Sequence, residues 1–149
     1  MEEISLYEKS KDLALFCANL VDDKLAKDIL ILDLSKIETA PAEFFIICSS
    51  DSEQQVSAIA NHINRTCKDQ HIPKPRMEGM EASEWVLMDF FDVVVHIMLD
   101  KTRKFYKLEK LWGDAEIFTI NQEGLPTSYD KQNINEILKD NPIDDEHIN

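Results

Sequence analysis

A chain of 149 residues carrying a net charge of −13 has room for one domain with its own core and little more. The charge argues against a free-standing nucleic-acid binder, because affinity for phosphates rests on a basic excess. No apolar run approaches the ~18–20 residues of a membrane span, and the acidic start MEEISLYEKSKD is unlike a secretion signal or an Arg-rich transit peptide, so a cytoplasmic protein is expected.

The chain opens with Ser5 and Glu8 spaced as a capping box. Leu13, Phe16, Cys17, Leu20 and Leu25 then continue a helical face to about residue 25. The run from Asp28 to Leu34 (DILILDL) reads as a buried strand, and a loop through Pro41 leads to a second, Phe44 to Cys48. Ser50 and Glu53 make a second capping box for a helix whose inner face is Val56, Ile59, Ala60, Ile63 and Cys67. Pro73 and Pro75 break the chain, and Arg76 to Glu78 suits a short edge strand.

A hairpin follows. Trp85 to Phe90 places Trp85, Leu87 and Asp89 on one face, with Val86, Met88 and Phe90 on the other. Val93 to Leu99 is apolar on both faces, which belongs in the middle of a covered sheet. Asp100 is positioned to cap a last helix with Phe105, Leu108 and Trp112 turned to the core, and Gly113 suits a left-handed stop. Lysines occupy most of its other positions, from Lys101 to Lys110.

The order α-β-β-α-β-β-β-α predicts a single α/β domain over residues 1–118, with a mixed sheet of about five strands flanked by helices. Residues 119–149, containing NQEG, LPTS and NPIDDE, read as an acidic, flexible C-terminal tail whose one helical candidate is Lys131 to Lys139. Cys17, Cys48 and Cys67 are odd in number and sit in apolar patterns, as reduced buried thiols do. Their spacing fits no zinc site, so neither a metal nor a cofactor is expected.

The hairpin and helix together resemble the signature of the Iojap family, the ribosomal silencing factors. Members carry W-x-x-x-D-x-G-D-V-V-V-H followed by R-x-x-Y-x-L-E-x-L-W. This chain matches at Trp85, Asp89, Asp92, Val93 to Val95 and His96, then at Arg103, Tyr106, Leu108, Glu109, Leu111 and Trp112. FFIICSSDSEQQVSAIA (Phe44 to Ala60) is similar to the family's Y-F-V-I-C-T-G-T-S-x-x-Q-V-x-A-I-A, and Glu78-Gly79 matches its E-G. The likeness runs from about Lys11 to Ala115. Phe91 and Ser50 stand where the family has glycines. If position 91 needs a positive φ, phenylalanine there costs ~1 kcal/mol or more.

The resemblance implies a binding protein, not an enzyme. It would attach to the intersubunit side of the large ribosomal subunit, block joining of the small subunit and so repress translation. An acidic chain would meet a basic ribosomal protein there, and the free protein would be a monomer or weak homodimer. The partner-binding residues implied are Trp85, Leu87, Asp89, Phe90, Asp92, Arg103 and Tyr106.

Trp85 as plain core is the commoner fate of a strand tryptophan. An aspartate two pleats along the same face, and the resemblance, favour an interface. For His96 a hydrogen-bonded core position is the simpler account. The Lys101–Lys110 stripe reads first as a solvated helix face, and second as a minor contact with ribosomal RNA.

Ser49 to Ser52, between a strand and a helix, invites comparison with nucleotidyltransferases. The glycine and the aspartate pair of those enzymes are missing here, so the architecture expected is nucleotidyltransferase-like without its catalytic residues. A degenerate enzyme of that kind or a nucleotide sensor is the alternative reading, and a large-subunit assembly factor is the close variant.

Overall fold

A computed structural model describes residues 5–139, so the acidic first residues and the NPIDDE end of the expected tail lie outside it. Helix α1 (Leu6–Asp23) starts where Ser5 Oγ accepts the Glu8 N–H at 3.1 Å. It is followed by strands β1 (Lys27–Asp33) and β2 (Phe44–Ser50) and by helix α2 (Glu53–Asp69). The cap of α2 is Ser52, whose hydroxyl accepts the Gln55 N–H, and not Ser50, which ends β2 and is buried. The strand runs two residues further than its apolar stretch, so the cap moves with it.

Strands β3 (Arg76–Glu78), β4 (Trp85–Asp89) and β5 (Val93–Leu99) lead into α3 (Asp100–Tyr106) and α4 (Leu108–Leu111). Beyond them lie β6 (Glu116–Ile120), β7 (Pro126–Ser128), a 3-10 turn (Lys131–Asn133) and α5 (Ile134–Leu138). The seven strands form one mixed sheet in the order β3-β4-β5-β2-β1-β6-β7. The only parallel pair among the described residues is β2 with β5, in the register Phe44↔Val93 to Ser50↔Leu99. Every residue of both strands is buried, as expected of a run apolar on both faces.

The sheet therefore has seven strands where about five were expected. The boundary placed at residue 118 falls inside β6, whose Ile31↔Phe118 pairing covers what would be the open edge of β1. NQEG is the turn of a second hairpin. Asn121 Oδ1 accepts the Glu123 and Leu125 N–H groups, and Asn19 Nδ2 donates to the Gly124 carbonyl at 3.0 Å. Gly124 has φ +76, and a Cβ there would stand 2.3 Å from the Asn19 side chain. The helical candidate after it is docked, with Ile134 and Leu138 buried. Polar composition misled because β6 and α5 bury only one or two residues each and β7 buries none.

Two apolar layers sandwich the sheet. Helices α1 and α2 close one face over Ile31, Ile46, Cys48, Met88, Val95 and Ile97. On the other, Leu30, Leu32, Phe45, Ile47, Val94 and Met98 are covered by Ala115, Ile134 and Leu138, with Leu108 and Trp112 packed alongside. Cys17, Cys48 and Cys67 are free and buried, and burial pushes the Cys48 thiol up to about 12. No helix among the described residues is long and apolar enough to cross a membrane.

Candidate functional site

The second face is not covered to its end. Period-2 alternation puts Trp85, Leu87 and Asp89 of β4 on that side, and all three are only half-buried while Val86 and Met88 are enclosed. Their partners on edge strand β3 are Glu78 opposite Leu87 and Arg76 opposite Asp89, both exposed. What results is a narrow open strip with an apolar centre and charges at one end. Gly79 (φ +91) closes it, because a Cβ there would stand 2.1 Å from the Trp85 carbonyl oxygen.

Trp85 is held in place from beneath. Its Nε1 donates to His96 Nδ1 at 3.1 Å, and the Tyr106 ring packs against it with centroids 5.0 Å apart. Burial lowers the His96 pKa to about 4, so the imidazole is neutral. With Nδ1 accepting, the ring proton sits on Nε2, which is buried and has no partner among the described residues. His96 is thus the hydrogen-bonded core residue expected. Trp85 is neither fully core nor free: one edge anchors it and the rest faces the strip.

The turn at the end of the strip carries Phe91 at φ 78, and its ring is 83% exposed. Its N–H donates to Asp89 Oδ1 at 2.7 Å, and the Asp92 N–H donates to the Phe90 carbonyl at 3.1 Å. A bond spanning three residues about a positive φ marks the rarer, strained γ-turn. The glycine that the family has here is therefore explained, and so is the role of Asp89 in holding the turn. Asp92 contributes its carbonyl, which accepts from Glu43 and Phe44 and pins the start of β2. Phe90 turns to the opposite layer and borders a groove of about 390 Å³ with Leu13, Ile72 and Pro73. Trp85, Leu87, Asp89 and Tyr106 come together; Phe90 does not join them.

Arg103 is a correction. It is 1% exposed, and no partner can reach it. Its Nε donates to Glu109 Oε2 at 2.7 Å and its Nη1 to Ser49 Oγ at 3.1 Å. In a continuous helix, residues six apart point about 120° away from each other and cannot meet. They meet because α3 ends at Lys107 (φ 51, ψ 50), whose N–H returns to the Arg103 carbonyl, and α4 folds back. The left-handed stop is at Lys107, not Gly113. Because that break puts Leu108 and Trp112 out of phase with α3, Phe105 is 78% exposed although helical periodicity placed it in the core with them. Leu108 and Trp112 do pack inward, with Trp112 edge-on to Phe45 at 6.0 Å.

Asp100 does not cap α3 with its side chain; its carboxylate takes Lys27 Nζ at 2.6 Å, and Asp51 takes the same ammonium at 2.5 Å. These bonds, that to Asp100 foremost, raise the Lys27 pKa. They border a cleft of about 450 Å³ at the carboxyl ends of β2 and β5, lined also by Ser49, Lys104 and Tyr129. In the serine turn, Ser49 is bonded to Arg103, Asp51 to Lys27, and Ser52 caps α2. No group of three or more metal-binding side chains occurs among the described residues.

Sequence reasoning missed Lys27, Ser49 and Glu109 as partners of this buried system. The available signal was the pair Arg103 and Glu109, both matched in the motif yet out of helical phase with each other.

Comparison with known proteins agrees with the motif. The family model described as "Ribosomal silencing factor during starvation" matches residues 7–145. The chain is 42% identical to the protein named ribosomal silencing factor RsfS of Halalkalibacterium halodurans, over 78% of this chain and 97% of the relative. It is 30% identical to the mouse protein named mitochondrial assembly of ribosomal large subunit protein 1, over 74% of this chain and 51% of that one. A crystal structure of a Chromobacterium violaceum protein superposes with a TM-score of 0.63 at 38% identity, covering 73% of this chain and 88% of that one.

Proposed function

This chain belongs to the ribosomal silencing factor family, and from that premise we propose that it is a cytoplasmic binding protein that docks on the large ribosomal subunit through the β4 strip. The observation that carries the reading is the incompletely covered sheet face, with Trp85 and Leu87 half-exposed beside Tyr106. A half-buried aromatic with charges at its rim is the usual build of an interface hot spot. Asp89 and Glu78, in a chain of net charge −13, suit a basic ribosomal protein as the partner.

Repression then works by occlusion. A domain roughly 30–40 Å across, seated on the intersubunit side, excludes the small subunit without chemistry or turnover. Potency follows affinity and copy number. Binding at the same place during maturation of the large subunit is the close variant, favoured by the name of the mouse relative. The nucleotide-binding alternative is weakened because Ser49, Asp51 and Ser52 are all engaged internally.

Sucrose-gradient fractionation of ribosomal particles with the purified protein tests the reading. Co-sedimentation with free large subunits, and slower joining on addition of small subunits, are expected. Recovery with small subunits, or only at the top of the gradient, would overturn it. Titration with nucleoside triphosphates and magnesium separates the alternative, which needs saturable binding lost on changing Asp51.

A further inference from the structure

Helices α3 and α4 present a surface that meets the β4 strip only at Tyr106, whose ring packs on Trp85. Phe105, Tyr106 and Leu111 are 78%, 58% and 73% exposed. Around them Lys101, Lys107 and Lys110 are exposed and Lys104 is partly so. None of the four lysines lies within 4 Å of a carboxylate among the described residues. The acids of the same segment are spent inwards, Asp100 on Lys27 and Glu109 on Arg103. A −13 protein thus holds a local cationic patch around two adjacent open rings.

We propose that this α3–α4 surface contacts unpaired RNA on the large subunit, with Phe105 and Tyr106 stacking on bases and Lys101, Lys107 and Lys110 meeting the flanking phosphates. The proposal rests on the docking reading above. Its chemistry is that of single-strand recognition, in which rings take the bases and lysines track the backbone. An acidic protein segment would use the lysines but has less need of two successive rings left open. The rings lie at the last two positions of α3, a helix whose buried residue is Arg103.

The overall charge does not oppose this contact. Screening acts over about 8 Å at physiological salt, so the patch governs at contact range while the whole chain is repelled at long range. The RNA contact therefore forms only after the β4 strip has docked, and free protein does not retain a short RNA oligonucleotide.

Ultraviolet crosslinking of the full-length protein on large subunits tests this, with nuclease digestion and mass spectrometry of the adducts. Nucleotide adducts on Phe105 or Tyr106 are expected. Phe105→Ala should weaken subunit binding about tenfold without changing the melting temperature. Lys101→Ala and Lys110→Ala should each lower the slope of log affinity against log salt by about 0.7–0.9. If the protein co-sediments but carries no nucleotide adduct between residues 101 and 112, the proposal falls and the docking reading stands. Crosslinks from this segment to ribosomal protein alone overturn it in the same way. Failure to co-sediment removes both.

Discussion

The two faces of the sheet are finished differently. On one, α1 and α2 lay long amphipathic helices across the strands, and Ile46, Val95 and Ile97 beneath them are fully buried. On the other, cover is assembled from short pieces: α3, α4, α5 and the chain between them. It leaves β4 half-open and encloses a charged system, Arg103 with Glu109, whose Nη2 and Oε1 atoms find no partner among the described residues. A face closed by two long helices contributes folding energy and offers no surface. A face closed by fragments leaves an edge open, with a buried ion pair between two of the fragments.

The largest test of that contrast is Arg103→Ala. Removing one member of a buried pair leaves the other charge uncompensated, and denaturant melts should show a loss of about 3–5 kcal/mol. Replacing both, as Arg103→Met with Glu109→Leu, should recover most of it. A loss under 1 kcal/mol in the single variant would mean the pair does not hold α4.

Next in size is Trp85→Ala, expected to cost about 2–4 kcal/mol of large-subunit affinity, roughly 30-fold or more, in protein that is still folded at the assay temperature. Unchanged affinity would remove the β4 strip as the docking site. Asp89→Lys is a less clean probe than its position suggests, because it also removes the acceptor of the Phe91 N–H.

The third effect is set by pH. Unfolded His96 takes its proton near 6.5 and folded His96 at about 4, so the folded state binds fewer protons between these values. Stability is intact above pH 6.5 and is lost as the pH falls toward 4, at about 1.4 kcal/mol per unit, or roughly 2 kcal/mol by pH 5. His96→Gln should lack this component. Parallel pH profiles for the two proteins would contradict the neutral-imidazole assignment.

Two smaller changes sharpen the comparison. Ile46→Val, beneath α1 and α2, should cost about 0.5–1.5 kcal/mol of stability and leave subunit binding unaltered. Phe91→Gly should stabilise the protein by about 0.5–1 kcal/mol, since it relieves a positive φ and the exposed ring has little packing to lose. Destabilisation by Phe91→Gly would show that the ring packs on something.

Much of this was legible from periodicity and turn chemistry. The Ser5 cap, the hairpin, the doubly buried β5 and the faces of Trp85 and Val86 all followed from spacing that depends on neighbours in the chain. The site was legible in part: Trp85, Leu87 and Asp89 share the open strip, whereas Phe90 lies across the sheet and Arg103 is sealed. Beyond residue 118 the strand residues are half-buried at the end of β6 and exposed in β7, so they gave no strong pattern.

By itself the sequence determined the α/β class, the central strands and the family, because alternation, caps and motif spacing are local properties that the backbone must obey. Only the tertiary structure decided the rest. A single left-handed residue at Lys107 resets the helical phase, so that Leu108 and Trp112 face inward after a helix whose inward residue is Arg103 and not Phe105. The open edge of β1 recruits a hairpin from what looked like a tail. Both outcomes depend on partners distant in the chain, an edge that must be paired and a buried charge that must be answered, and no local pattern encodes which segment will supply them.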